Sequence, residues 1–273
     1  MGSVQEDAFY PPHDLCVEIQ RFLADHEFFY APASLADTAV IYSVGSNFHG
    51  GARPEDIANN PENVVSGHRL PFWDVCDRLA DARQPYDVRF FPDGTLRSDS
   101  AENLDLGQYR TVVLPNCHFL TGPQADALAR FLDGGGRIVS IGTPGENLDD
   151  ERRRAIANHP GTSIVDAFLV EAVADGTQVT WHAGVDLAVN IVPVEHGAAI
   201  HIIRYGYDEE TDAVPVLSTL EFTVRLDGDF GTVSCFSPGG LLAGSMSRDG
   251  DQYRIMLENV PLYGIVLLEG SNA

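Results

Sequence analysis

A complete β-α-β unit between Tyr109 and Pro144 constrains the fold of this chain more than any other feature. Residues Thr111 to Leu114 form a short, unbroken apolar run, which is typical of a strand buried on both faces of a parallel sheet. Thr121 and Gln124 have the spacing of a capping box, an apolar stripe at helical period follows, and three consecutive glycines end the helix. Ile138 to Ile141 is the returning strand. A right-handed crossover places the loops after the two strands side by side at the carboxyl edge of the sheet, where open α/β folds bind ligands.

The elements around this unit continue the α/β pattern. Helical spacing of apolar residues, buried apolar runs and a helix-starting proline predict a docking helix over 13–29, a strand over 38–43, an amphipathic helix after Pro71, a strand over 86–91 and a charged helix over 149–158. A long polar loop is predicted over 44–68, and its length is typical of a lid, an interface or a binding loop. The secondary structure of the apolar segment 164–173 stays open.

From about Val179 the apolar pattern changes to a period of two. Strands of similar length are separated by turn sequences such as EHG, DGD, SPGG and RDGD, which predicts an antiparallel sheet or sandwich. We therefore expect an α/β domain over residues 1–178 and an all-β domain over residues 179–273.

Charge and composition exclude several classes of function. The chain has 273 residues, with 40 acidic and 17 basic side chains, and every basic residue is arginine. The net charge of −23 disfavours nucleic acid as a partner, and the acidic, lysine-free composition suggests salt adaptation. No apolar run approaches the ~18 residues of a membrane span, and the first residues do not resemble a signal peptide, so the prediction is a cytoplasmic protein with no membrane partner. The four cysteines form no CxxC pair, and neither a metal site nor a cofactor is predicted.

Several motifs taken together resemble a known family. The sequences VVLPN, GGG and IGTPG in the first half, and HIIRYGYDEET in the second, resemble the region behind the catalytic barrel in β-galactosidases of glycoside hydrolase family 42 and their relatives. The resemblance runs from about Phe22 to Leu268. It implies a flavodoxin-like domain, similar to class I glutamine amidotransferases and called the trimerisation domain in that family, followed by an antiparallel β-sandwich.

The resemblance also implies a function. The family's catalysis uses two glutamates on a (β/α)8 barrel of ~250 residues, and no such region precedes Phe22 in this sequence. A separate subunit, a degenerate paralogue and a piece of a longer protein all remain open. The leading hypothesis is a non-catalytic assembly module that forms a homo-oligomer, a trimer by resemblance, or that joins a barrel-bearing hydrolase subunit. The alternatives are a carbohydrate-binding module that uses the β domain, and a cysteine-dependent, amidotransferase-like hydrolase.

The amidotransferase resemblance can be followed to single residues. Working relatives carry a nucleophilic cysteine after the strand RIVSIG, a position that falls here on Gly142 or Thr143 and lacks a thiol. Cys117 instead follows the preceding strand, and His118 beside it suggests a nucleophile and its base. Adjacent side chains tend to diverge, however, and no third group is evident to orient His118, so a structural cysteine is the favoured interpretation.

Other candidate residues have weak signals. Weak ligand-binding candidates are Asn47, His49, Asn116 and Thr143. His49, with Asn47 and Asp56 nearby, has the chemistry for a pocket or a metal, but the absence of HxH or HxxxH spacing favours an interface histidine. The acidic residues of one hairpin are interpreted as a solvated turn or, less well, a calcium site: Asp208, Glu209, Glu210 and Asp212. Trp73 and Trp181 are candidates for stacking on sugar rings, although a tryptophan on an amphipathic helix is more often a core residue. Tyr205 and Tyr207 share one face of a predicted strand and are predicted to pack there.

Overall fold

The computed structural model describes residues 13–49, 71–173, 176–182 and 184–270. The described residues group into two compact units: Leu35–Thr180 forms an α/β unit, and residues 13–34 join residues 181–270 in a β unit. The division into domains at residues 178 and 179 stays a prediction. None of the helices in these described ranges is both long enough and apolar enough to span a bilayer.

The α/β unit contains one parallel sheet of five strands in the order β2-β1-β3-β4-β5. The strands are β1 (Thr38–Ser43), β2 (Asp87–Phe91), β3 (Thr111–Pro115), β4 (Arg137–Ile141) and β5 (Thr162–Val165). The helices are α2 (Val44–His49), α3 (Phe72–Asp81), α4 (Ala101–Leu104), α5 (Gly122–Asp133) and α6 (Asp150–Ala157).

Each face of this sheet has its own hydrophobic core. On one face, α5 and α6 pack against alternate residues of the strands, such as Ile41, Leu114 and Ile138. On the other face, α3 packs against the intervening residues, such as Val40 and Val113. Helices on both faces explain why β3 is buried along its whole length, as its apolar run predicts.

The central β-α-β unit forms as its sequence indicates. The Thr121 side chain accepts a hydrogen bond from the backbone N–H of Gln124, and the Gln124 side chain accepts one from the N–H of Thr121, which completes the capping box. Strands β3 and β4 pair in parallel from Thr111 with Arg137 to Pro115 with Ile141, so their carboxyl ends are level.

The β unit contains two antiparallel sheets, in the orders β10-β13-β8-β7 and β11-β12-β9-β6. The strands are β6 (Val179–Trp181), β7 (Leu187–Val194), β8 (Gly197–Arg204), β9 (Leu217–Arg225), β10 (Phe230–Phe236), β11 (Ala243–Asp249), β12 (Gln252–Val260) and β13 (Tyr263–Gly270). Helix α1 (His13–Asp25) and a 3-10 turn (Glu27–Phe29) belong to this unit. Their aromatic residues Phe22 and Phe29 pack against Val192, Ala199 and Ile265 on the first sheet.

The structure corrects several predicted elements. Residues 44–49 form helix α2, whereas the sequence predicts a loop there; residues 50–68 of that predicted loop lie outside the described residues. Helix α4, capped by Ser100, is not evident from the sequence because one turn is too short for a periodic pattern. The open segment 164–173 holds the end of β5 and a 3-10 turn at Val170–Ala172.

Candidate functional site

The loops after β3 and β4 lie side by side and bind each other. The Asn147 side chain donates to the Leu120 carbonyl at 2.9 Å and accepts from the Leu120 N–H at 2.9 Å. The N–H of Gly145 donates to the Cys117 carbonyl, also at 2.9 Å. The edge at which α/β sheets bind ligands is therefore closed between these two loops by hydrogen bonds of the chain itself.

The crevice between β1 and β3, where the strand order reverses, contains part of the loop after β3. The ring of Phe119 lies against Gly45 of α2, so closely that a Cβ on Gly45 would be 2.6 Å from it. The buried hydroxyl of Ser46 donates to the Phe119 carbonyl at 3.0 Å and accepts from the Phe119 N–H at 3.0 Å, and Ser43 bonds to Ser46 at 2.8 Å. Phe119 therefore lies where a ligand of a doubly wound sheet is expected.

Cys117 lies in the apolar core of the α/β unit. Its side chain is 0% exposed and clusters with Leu114 and Leu120. Burial raises the pKa of the Cys117 thiol well above its usual range, because the charged thiolate is not solvated there. A nucleophilic cysteine needs the opposite shift, so this environment suits a structural residue.

His118 does not activate Cys117. The His118 Nδ1–H donates to the Asn116 carbonyl at 3.1 Å, and its Nε2 is buried without a hydrogen-bond partner. Asn116 itself has a φ of 53°, a left-handed conformation that asparagine tolerates. The sharp turn after β3 thus directs the imidazole to its own backbone.

Gly142 follows β4, at the position where the sequence resemblance predicts a nucleophile. Its φ is +77°, and a Cβ there would lie 3.1 Å from the Asn116 Oδ1 atom. Thr143, the next residue, is exposed, and the Ser140 hydroxyl donates to the Gly142 carbonyl at 2.8 Å. Glycine adopts this φ without strain, and the turn carries no thiol.

The remaining candidates are dispersed. Asn47 is half-buried on α2, and His49 is the last residue of that helix, with its side chain outside the described part of the structure. In the acidic hairpin, Asp208 accepts from the Glu210 N–H at 2.9 Å, and Asp212 accepts from the Tyr207 hydroxyl at 2.6 Å. Within the described residues no group of three His, Cys, Asp or Glu side chains has the geometry of a metal site.

The prediction of a core position for Trp73 and of packing for Tyr205 and Tyr207 is wrong. Trp73 is 67% exposed, and Tyr205 and Tyr207 are 52% and 56% exposed. Trp181 is half-buried, with its ring 4.9 Å from that of Phe222. The sequence misleads because the periodicity of apolar residues shows only which face of a helix or strand a residue lies on. Whether that face is buried depends on the elements that pack against it.

A groove of about 400 Å³ lies between α5 and α6. Arg152 crosses it, with its Nε 3.1 Å from Asp126 and its Nη1 3.1 Å from Asp149. A hydrogen bond from the Arg152 backbone lowers the pKa of the Asp149 carboxyl. Both carboxylates are engaged with the arginine, so the groove is an exposed ion-pair network between two helices.

Comparisons with solved structures find the fold in parts of glycoside hydrolases. The α-L-fucosidase isoenzyme 2 from Paenibacillus thiaminolyticus matches 92% of this chain with a TM-score of 0.59 and 12% identity, and the chain spans 51% of that protein. A rhamnosidase from Novosphingobium sp. PP1Y has a TM-score of 0.48, 14% identity and coverage of 87% and 23% of the two chains. A GH42 β-galactosidase from G. stearothermophilus has a TM-score of 0.39, 11% identity and coverage of 86% and 40%. No protein-family model and no curated protein matches the sequence.

Proposed function

We propose that this chain is a non-catalytic assembly module associated with a β-galactosidase-like glycoside hydrolase. The similarity to half of an α-L-fucosidase supports a role as part of a larger hydrolase assembly, at the level of fold. We also propose that the α/β unit is flavodoxin-like and related to class I glutamine amidotransferases, since its strand order 2-1-3-4-5 is that of the flavodoxin-like sheet. We further propose that the two antiparallel sheets of the β unit pack face to face as a β-sandwich.

The chemistry of the sheet edge supports the non-catalytic part of the proposal. Cys117 is desolvated, His118 bonds to its own backbone, and Gly142 stands at the nucleophile turn. A nucleophile, a base within reach and a group that orients the base are the minimum for acyl transfer. The described residues of this edge do not bring such a set together.

A row of four aromatic rings, exposed at its two ends, supports the assembly part of the proposal. We define the aromatic strip as Trp73, Phe72, Tyr42 and Phe90, whose successive ring centroids are 5.3, 5.0 and 5.2 Å apart. It runs from α3 to the edge strand β2, and Trp73 and Phe90 are 67% and 52% exposed at its two ends. Exposed aromatic patches of this kind mark protein–protein interfaces, and tryptophan and tyrosine dominate their binding energy. The partner in this proposal is a second copy of the chain, and the family resemblance implies three copies.

The test is the mass of the protein in solution. Size-exclusion chromatography with light scattering is expected to give an oligomer, with the oligomer favoured as salt rises from about 0.1 M to about 1 M and screens the acidic surfaces. A Trp73→Ser, Phe90→Ser double variant is expected to be a folded monomer. Leu241→Ser is the matched control, because Leu241 is 69% exposed but lies in the β unit. A wild-type monomer at every salt concentration would refute the proposal.

A further inference from the structure

Strand β2 forms one edge of the parallel sheet, and among the described residues its only neighbour is β1. Its side chains alternate between the two faces of the sheet. On the face that carries α3, Val88 and Phe90 are 38% and 52% exposed, because α3 packs over β1 and β3 and does not cover β2. An edge strand presents backbone N–H and C=O groups to which a further strand can pair, and an apolar exposed edge favours such pairing.

The other face of β2 carries two opposite charges, and both are held by Tyr109. The Tyr109 hydroxyl donates to Oδ2 of Asp87 at 2.8 Å, and the Cζ atom of Arg89 lies 5.3 Å from the centre of the Tyr109 ring. Within the described part of the chain neither Asp87 nor Arg89 forms an ion pair, and the Nε atom of Arg89 is buried without a hydrogen-bond partner. The edge strand therefore offers an acid and a base, two positions apart on one face, to a partner strand.

The order of these charges selects one way in which β2 can pair with a copy of itself. In two-fold antiparallel pairing, opposed residues lie on the same face, and residue i meets j where j meets i. An axis at Asp87 or at Arg89 opposes that residue to its own copy, which brings like charges together and is unfavourable. An axis nearer the end of the strand leaves both charges unpaired. An axis at Val88 opposes Asp87 of each copy to Arg89 of the other.

The same register also matches the apolar face. It opposes Val88 to its own copy and Tyr86, the residue before β2, to Phe90 of the other copy. Cross-strand pairs of aromatic residues, of β-branched residues and of opposite charges each stabilise an antiparallel pair. The pattern from Tyr86 to Phe90 is thus complementary to itself, which favours a second copy over an unrelated strand as the occupant of this edge.

We propose that β2 pairs with β2 of a second copy of this chain, antiparallel about a two-fold axis at Val88, so that two sheets become one continuous sheet. The inference rests on the proposed function, because it names how two copies meet beside Phe90 of the aromatic strip. Charges on an edge strand usually prevent pairing, but the opposite signs of Asp87 and Arg89 admit this register and exclude its neighbours. A two-fold interface joins copies in pairs, so the expected particle is a dimer, whereas the family resemblance implies three copies.

Exchange of the charges tests the register. Asp87→Arg places two arginines on β2 and Arg89→Asp places two aspartates there, so each variant alone is expected to dimerise at least about tenfold more weakly than the wild type. An equimolar mixture of the two variants restores both ion pairs and is expected to form a heterodimer. Light scattering after size-exclusion chromatography measures the mass, and circular dichroism verifies that each variant is folded. The controls are Glu146→Arg and Arg130→Asp, which make the same charge changes at exposed sites outside β2.

A cysteine at Val88 tests the position of the axis. Opposed residues of an antiparallel pair have Cα atoms about 4.5–5.5 Å apart, which is within the range of a disulfide. Val88→Cys is therefore expected to give, on mild oxidation, a covalent dimer that a reducing agent separates on a denaturing gel. Val216→Cys is the matched control, because Val216 is 57% exposed but lies in the β unit, and the wild type gives the background of the native cysteines.

The outcomes separate this inference from the proposed function. A wild-type protein that stays monomeric overturns both. The β2 pairing alone is overturned by a closed trimer, by an oligomer that neither charge variant weakens, or by a Val88→Cys cross-link no stronger than that of Val216→Cys. Folded charge variants that stay monomeric when mixed also refute this register, and in these cases assembly through the aromatic strip still stands.

Discussion

Asn147 binds both backbone groups of Leu120, with its amide nitrogen 2.9 Å from the carbonyl oxygen and its amide oxygen 2.9 Å from the backbone nitrogen. Asn147→Ala removes both bonds and leaves the Leu120 N–H and carbonyl without these partners. We expect the free energy of unfolding to fall by about 1–2 kcal/mol. Urea denaturation measures it, with Asn190→Ala as the control, because Asn190 is an exposed asparagine on a strand. Equal losses in both variants would contradict the role of the pair.

Cys117 is expected to resist alkylation in the folded protein. Its raised pKa and zero exposure leave almost no accessible thiolate at neutral pH. Iodoacetamide labelling followed by peptide mass spectrometry measures the rate, and the denatured chain is the control, in which Cys117 reacts like an ordinary thiol. Rapid labelling of Cys117 in the native protein, together with an amidase or esterase activity that Cys117→Ser abolishes, would establish the enzyme alternative.

Stability is expected to fall at alkaline pH. Burial raises the pKa of Cys117, raises that of Cys235 to about 11, and raises that of Tyr86 to about 12. In each case the folded protein keeps a proton that the unfolded chain releases, so the stabilisation is complete below the unfolded pKa, ~8.5 for cysteine, and is lost as pH rises above it. Cys117 alone contributes about 2 kcal/mol of this loss at pH ~10. Denaturant midpoints across this range measure the slope, and Cys117→Ala is expected to reduce it; an unchanged slope would be inconsistent with this account.

Arg204 joins the two sheets of the β unit, because it lies on β8 while its acceptor Val260 lies at the end of β12. Arg204→Met leaves two carbonyls without their donor, and we expect a loss of about 2–4 kcal/mol. Arg254→Met is the matched control: Arg254 forms an ion pair with Glu221 that solvent screens, so a smaller loss is expected. Thermal denaturation of both variants tests the difference, and similar melting temperatures would show that Arg204 is not a clamp.

The net charge of −23 predicts that salt stabilises the fold. Carboxylates on one surface repel each other until ions screen them, and the screening length falls to ~3 Å at 1 M. We expect the melting temperature to rise by several degrees between low and molar potassium chloride. Sucrose is the control for a non-ionic solute. A flat or falling curve in potassium chloride would argue against salt adaptation.

The sequence predicts the α/β sheet well because its signals are local. The apolar run of β3, the capping box at Thr121 and the glycines after α5 each lie within a few residues of the structure that they specify. The antiparallel sheets of the β unit follow from period-two patterning in the same way.

The site could not be predicted to the same extent, because it depends on contacts between distant segments. Phe119 lies against Gly45 and bonds to Ser46, 73 residues away, and nothing in the local pattern of either loop indicates this. The absence of a thiol at Gly142 could be predicted, because the identity of a residue is read directly from the sequence.

The β unit is built from two stretches of chain that are far apart in sequence. Its parts are therefore synthesised at different times. Helix α1 is synthesised before the α/β unit, but its packing partners Ala199 and Ile265 are made about 180 and 240 residues later than Phe22. The residues Leu35–Thr180, which lie between, hold all the strands of their own sheet and can fold while the rest is still being made. Until β13 emerges, Phe22 of α1 lacks part of the sheet surface that partly covers it. A nascent chain stalled before β13 is therefore the form of this protein that chaperones should recognise at α1.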